Sequence, residues 1–292
     1  MAITVNTNLQ ALRIQTNLSN ATDRMNTAME RMSSGSKINS AKDDAAGLAV
    51  ATGLTTTISS SKVATSNVKI GSNLLDTAEG TLNVITDNLQ RINDLITEAA
   101  NGTYSDADLQ AISEEVAARV AEIKSLAANA TFNDVKLFGD TASTGAASTG
   151  ITLQVGTTAS DTINLDSTIF GAIDSTTLTG LDTLSTTIYT SASGGGATSA
   201  ISGLLSSVDS MISTVTTRET KIGAAQNKLE AVSDGLDVQQ TNLKAARSTI
   251  LDADVAEESA QYVAAQILQS ASATLLVQAN SAPQIALTLI QG

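Results

Sequence analysis

Four ionisable side chains fall close together in SSGSKINSAKDDAAGLAV, residues 33–50: Lys37, Lys42, Asp43 and Asp44. A lysine among carboxylates is a general acid–base combination, provided that geometry brings the groups together. Adjacent residues on a helix do not share a face, so Asp43 and Asp44 are not a natural acid/base pair. The flanking residues offer Lys42 no apolar pocket to lower its pKa. Every part of the stretch has a structural reading instead. Gly35 suits the left-handed position just past a helix. Ser40 suits the N-cap of the next helix, with Asp43 three residues on as the reciprocal cap. Asp43 and Asp44 favour the positive end of that helix, and Ala45, Ala46 and Gly47 allow close packing. The stretch therefore reads as a polar junction between two helices.

The rest of the chain offers no better chemistry. Its 292 residues include no His and no Cys. That excludes Cys- or His-based zinc sites, disulfides, and catalysis by either residue. No nucleophile–base pair or metal cluster can be assembled, so an enzyme is not expected, and neither is a catalytic, metal or cofactor site. A formal charge of −13 argues against a protein that coats nucleic acid, which needs a basic surface. Only 2% of residues are aromatic, whereas Ala, Leu, Ile and Val recur at helical spacing. That composition points to long, thin helical packing rather than a compact enzyme core.

The elements follow from the spacing. Leu18, Ala21, Met25, Ala28 and Met32 alternate steps of three and four, a helical stripe. Leu75, Leu82, Leu89 and Ile96 form one heptad seam, and Ala78, Ile85, Ile92 and Ala99 its companion. Asn101-Gly102 is a turn signal. A shorter helix then carries Leu109, Ile112, Val116, Ile123 and Leu126. In the C-terminal half, Val208, Val215, Ile222, Leu229, Leu236, Leu243 and Ile250 lie seven apart. Their companion seam is Leu204, Met211, Arg218, Ala225, Val232, Gln239 and Ala246, only partly apolar. About 50 helical residues there would span roughly 75 Å. A last helix from about Asp254 carries Ala264, Leu268, Ala271 and Leu275, and Pro283 marks its expected end.

Between these helices the chain changes character. Residues 139–200 are rich in Thr, Ser and Gly, and no Lys or Arg occurs between Lys136 and Arg218. ITLQVG and DTINLD alternate as half-buried strands do, and SASGGGATS reads as a flexible loop. The fold class expected is mainly α: a long antiparallel helical bundle or coiled coil formed by both chain ends, with a small β-containing outer element. The boundaries expected are 1–43 with 255–292 for the terminal helices, 44–140 with 201–254 for a helical rod, and 141–200 for a variable exposed β/loop region. The N-terminus lacks a basic region followed by an apolar one, so no cleavable signal peptide is expected. Residues 259–292 carry no charged side chain, yet Gln261, Gln266, Gln269, Gln278, Asn280 and Gln284 interrupt them, so membrane insertion is not expected.

RMSSGSKINSAKDDAAGLAV closely resembles the N-terminal signature of bacterial flagellin. The resemblance continues through NLQRINDLITEAANGTYSDADLQAISEEV and ATFNDVKLF, and resumes in AAQILQSASATLLVQAN. Ser36 stands where the family usually has Leu, Lys37 where it usually has Arg, and the final NSAPQIALTLIQG departs after its Pro. The resemblance implies a non-catalytic, exported filament subunit of the bacterial flagellum that polymerises with itself. The terminal segments would form an inner tube, the adjoining helices a rod around it, and the middle would face outward. It also implies a flagellar export chaperone, filament cap and hook-junction proteins as partners, and type III export to the extracellular filament. Leu18, Met25, Met32, Leu268 and Leu275 are then the assembly candidates. Gln90, Arg91, Leu95 and Glu115 match the face that the family presents to Toll-like receptor 5 and to neighbouring subunits. A hook–filament junction protein and another secreted coiled-coil adhesin are the competing readings.

Overall fold

The structure, a computed structural model, describes residues 8–101, 103–138, 150–171, 173, 180, 183–193 and 197–291. In chain order it comprises helices α1 (Leu9–Ser34), α2 (Ala45–Ala99) and α3 (Asp106–Asn129). Strands β1 (Thr131–Phe132), β2 (Val135–Lys136), β3 (Ile151–Gln154) and β4 (Thr162–Leu165) follow. A single turn α4 (Ser167–Phe170) then precedes α5 (Leu184–Ser193), α6 (Ala197–Leu251) and α7 (Val255–Gln291). The chain divides into two compact units, Met1–Ile58 with Thr241–Gly292, and Ser59–Gln240.

In the Ser59–Gln240 unit, α2 and α6 run antiparallel. Side-chain hydrogen bonds track their register: Gln240 to Thr65, Gln226 to Asp76 and Glu79, Thr86 to Glu219, and Asn93 to Asp209. Both predicted seams of α2 are buried from Leu75 to Ala99. On α6 the seam is buried from Val208 to Leu236. Each such Leu or Ile contributes about 1.5–3 kcal/mol on burial. A side-chain hydrogen bond adds about 1 kcal/mol net, so apolar burial dominates here and the polar pairs set register. The companion seam is interrupted by Arg218, which is buried and donates from Nη1 to the Gly171 carbonyl.

α3 starts at a capping box in which the Ser105 and Asp108 side chains each bond the other's backbone N–H. It returns antiparallel along α2, with Arg119 Nη1 donating to Asn88 Oδ1 at 3.2 Å. The β1–β2 hairpin turns at Asn133 and Asp134, both at positive φ, the combination a two-residue type I′ turn requires. β3 and β4 pair antiparallel, Ile151 opposite Leu165 and Gln154 opposite Thr162, as the alternation of ITLQVG and DTINLD predicts. This hairpin lies against α2, where Asn67 Nδ2 donates to the Gln154 carbonyl. A Cβ at Gly71 would run into Leu153 there.

The Ser/Thr-rich middle also holds a helix that the loop reading missed. α5 packs on α3, with Ser113 Oγ donating to the Ser185 carbonyl and Leu184 and Ile188 buried. Four-residue spacing of those two apolar side chains was its signal. Helix extends to Ser193 and resumes at Ala197, so SASGGGATS is not a loop at either end. Its three glycines, 194–196, lie outside the described residues.

In the other unit, α1 and α7 pair antiparallel. Ala21 and Ala28 are buried, with Leu18, Met25 and Met32 half-buried, so the predicted α1 stripe is the packed face. The stripe predicted on α7 is not. Ala264, Leu268, Ala271 and Leu275 face solvent, while Glu258, Ala265 and Ser272 are buried at heptad spacing. Ala265 and Ser272 are small, which lets two helix backbones approach closely, and polar bonds fix the register. Arg31 Nη1 meets Glu258 Oε1 at 3.1 Å and Gln269 Nε2 donates to Thr22 Oγ1 at 3.2 Å.

Two further corrections concern helix ends. Asp44, not Ser40, caps α2: its Oδ1 accepts from Gly47 N–H at 2.9 Å and its carbonyl from Leu48 N–H. Ser40 and Asp43 instead close a turn before the helix, Asp43 Oδ2 accepting from Asn39 N–H, Ser40 N–H and Ser40 Oγ. At the far end, α7 runs through Pro283 to Gln291.

Candidate functional site

The opening stretch proves to be half of a strap. Gly35, at φ +68°, ends α1. Ser36 then pairs as an antiparallel bridge with Asp252, Lys37 N–H donating to the Leu251 carbonyl at 2.6 Å and Ala253 N–H to the Gly35 carbonyl at 3.0 Å. The strap joins the junction between α1 and α2 to that between α6 and α7. Ile38 is buried beneath, and a Cβ at Gly47 would strike Ile38 and Asp44. Hydrogen bonds from the Ser40 N–H and hydroxyl, and from Asn39 N–H, hold Asp43 below the usual carboxylate range, aided by Arg31. The stretch is a structural joint between helices.

Of the residues matched to the receptor-contacted face, the structure brings Arg91 and Glu115 together across α2 and α3. Arg91 Nε donates to Glu115 Oε1 at 3.0 Å and Nη2 to Oε2 at 3.4 Å, a two-pronged pair with both side chains over a third exposed. Glu115, by this hydrogen bond first and then its charge, raises the Arg91 guanidinium above its ordinary value, with smaller contributions from Glu98 and Asp94. Gln90 is exposed beside them. Leu95 is only 2% exposed and belongs to the core beneath.

Sequence reasoning missed Arg119, which extends this charged strip through Glu115 at 3.9 Å and Glu122 at 3.6 Å. The i,i+4 and i,i+3 spacings of those charges were the available signal. Farther along, Tyr104 Oη donates to Glu98 Oε1 at 2.7 Å, which raises the phenol's pKa.

The assembly candidates separate by helix. Leu18, Met25 and Met32 turn toward α7, and Met32 Sδ accepts from Ser259 Oγ. Leu268 and Leu275 lie on an open apolar face, 51% and 57% exposed, with Val263, Ile267 and Val277 nearby. Among the described residues no group of three or more Asp or Glu side chains could hold a metal, and no helix is long and apolar enough to cross a membrane.

Paired helices with an uncovered apolar face, and a charged strip on a heptad core, define a mainly helical architecture. Two family models match: the bacterial flagellin N-terminal helical region over residues 5–144, and the bacterial flagellin C-terminal helical region over residues 205–290. The B-type flagellin of Pseudomonas aeruginosa is 44% identical over 165 residues, covering 56% of this chain and 33% of that one. The flagellin of Salmonella typhimurium is 41% identical over 184 residues, covering 63% and 35%. The chain thus spans about a third of the length of these curated relatives. In fold, it is similar to a Vibrio parahaemolyticus structure assigned to the flagellar hook-associated proteins, with a TM-score of 0.62, 17% identity, and coverage of 72% of this chain and 100% of that one. The two models together match well over half of the chain, which belongs to the bacterial flagellin family.

Proposed function

We propose that this chain is a structural subunit that polymerises into the extracellular filament of the bacterial flagellum, a mechanical propeller rather than a catalyst. The observation that carries the reading is the outer face of α7. Val263, Ile267, Leu268, Leu275 and Val277 are each more than half exposed, with Leu9 and Leu12 of α1 similarly open. Removing such a face from water is favourable at about 25 cal/mol per Å². A head-to-tail contact that does not close on itself makes a helical filament. Residues 1–43 and 255–292 form the inner tube in this reading, 44–140 and 201–254 the surrounding rod, and 141–200 the outward part. The chain reaches the filament tip through the flagellar type III apparatus, with an export chaperone, and meets cap and hook-junction proteins there.

The test uses the full chain seeded with filament fragments. Long filaments in the electron microscope are expected, and Leu268→Glu with Leu275→Glu should leave monomer in the supernatant after sedimentation. Unimpaired assembly of that variant would refute the α7 contact. Short, self-limiting oligomers of the unsubstituted chain would mark a junction protein instead.

The Arg91–Glu115 strip supports recognition of the monomer by Toll-like receptor 5, with the same strip used for lateral subunit contacts. A bidentate guanidinium pair is a planar, preorganised anchor for an interface. Arg91→Ala with Glu115→Ala should reduce receptor activation in reporter cells and slow assembly. Full activation by the folded double variant would remove the receptor reading and leave the filament reading standing.

A further inference from the structure

Proline has no N–H, so inside an α-helix it leaves the carbonyl four residues earlier without its ladder donor. In α7 that proline is Pro283 and the carbonyl is that of Ala279. An isolated helix would stop before such a defect, as the sequence predicts, yet α7 continues to Gln291. The Ala279 carbonyl is not left open: Asn8 Nδ2 donates to it at 2.8 Å, across 271 positions of sequence. The same amide's Oδ1 accepts from Ala11 N–H at 3.0 Å and so caps α1. The Asn8 carbonyl accepts from Leu12 N–H at 3.1 Å, which holds the residue in the first turn.

One side chain therefore closes two opposite defects. A helix start has surplus donors and a proline-interrupted turn has a surplus acceptor. The closing group must accept on one side and donate on the other. Aspartate can cap but cannot donate, and an aliphatic residue can do neither. Asparagine combines a good N-cap with an N–H₂ donor on a short stem. We propose that Asn8 is a positioning residue that supplies the donor missing at Pro283 and thereby carries α7 as a helix to Gln291, in fixed register with α1. The first turn of α1 and the last turns of α7 then form and melt together.

The test is a double-substitution cycle on the full chain. Asn8→Asp keeps the acceptor for Ala11, removes the donor and sets a carboxylate against the Ala279 carbonyl. Pro283→Ala gives α7 its own N–H and makes the Asn8 donor redundant. Amide hydrogen exchange of residues 280–291 is followed by mass spectrometry, on monomer and on sedimented assembly. Asn8→Asp should accelerate exchange about tenfold in the Pro283 chain, the size of one lost hydrogen bond. In the Pro283→Ala background it should do so by less than about twofold, since the two sites are then uncoupled. Equal acceleration in both backgrounds would mean that Asn8 acts only through α1, and overturns the proposal. So would no acceleration, or no protection of residues 280–291 in either state of the unsubstituted chain. Asn8→Ser, which caps but is too short to bridge, guards against a charge artefact and should behave as Asn8→Asp does.

Discussion

In the Ser59–Gln240 unit, large side chains are inside: Leu75, Leu82, Ile85, Leu89, Ile92 and Ile96 are closed off from solvent. In the unit of α1 and α7 the order is inverted. Alanines and a glutamate are inside, and Val263, Ile267, Leu268 and Leu275 are outside. The first unit buries most of its large hydrophobic residues within the chain, although Val63, Ile70, Val84, Val135 and Val238 stay exposed. The second pairs its helices with close backbones and polar bonds, and leaves its apolar face uncovered. The same heptad spacing thus serves two ends, and the identity of the buried residues tells which.

The comparison is easiest to break in the first unit. Leu82→Ala should cost about 2–5 kcal/mol, seen as a lower urea midpoint. Leu268→Ala, on the open face of α7, should change monomer stability by less than about 0.5 kcal/mol in the same measurement.

In the second unit the sensitive group is the ion pair. Glu258 is buried, and its Oε2 has no hydrogen-bond partner among the described residues. Arg31→Met strands the whole carboxylate, at a cost on the order of 3 kcal/mol. Limited proteolysis should then cut within α1 and α7 while sparing α2.

Backbone demands come next. Gly150 sits at φ +75°, and a Cβ there would meet the Leu165 carbonyl at 2.5 Å. Gly150→Ala should cost about 1–3 kcal/mol and weaken the β3–β4 cross-strand signals in NMR spectra.

The smallest effect is a pH response. The Ser105 hydroxyl, then its backbone N–H, holds Asp108 below the usual carboxylate range. A depressed folded value means that its stabilisation is complete above the ordinary carboxylate pKa. It is lost as the pH falls through the lower folded value. Fraying of the first turn of α3 on acidification, followed by amide chemical shifts, should show this. Ser105→Ala should shift that fraying to higher pH.

The heptads of α2 and α6 were legible because a large apolar residue every seventh position leaves few alternatives. The α1 stripe was legible for the same reason. The packed face of α7 was not, since Glu258, Ala265 and Ser272 carry no apolar signal. The strap at Ser36 and Asp252 is made by backbone groups, which write nothing into side-chain pattern. Ser40 and Asp44 are equally good caps by type, and only the turn closed by Asp43 decides between them. Arg91 has Leu95, not a carboxylate, four positions on. Its partner Glu115 lies 24 positions away, on a helix whose return path depends on the turn before it.

The strap also has a kinetic meaning. It joins Lys37 to Leu251, and Arg31 meets Glu258 across 227 positions. A contact that closes so long a loop must meet the entropy of closure before it gains anything. Once the seams of α2 and α6 have joined, those distant segments are already near, so part of that closure entropy is met. Slow, topologically remote contacts of this kind lower the rate at which the last step completes. By this argument the α1–α7 pair is expected to order after the α2–α6 seams, an order that pulse-labelled hydrogen exchange would read.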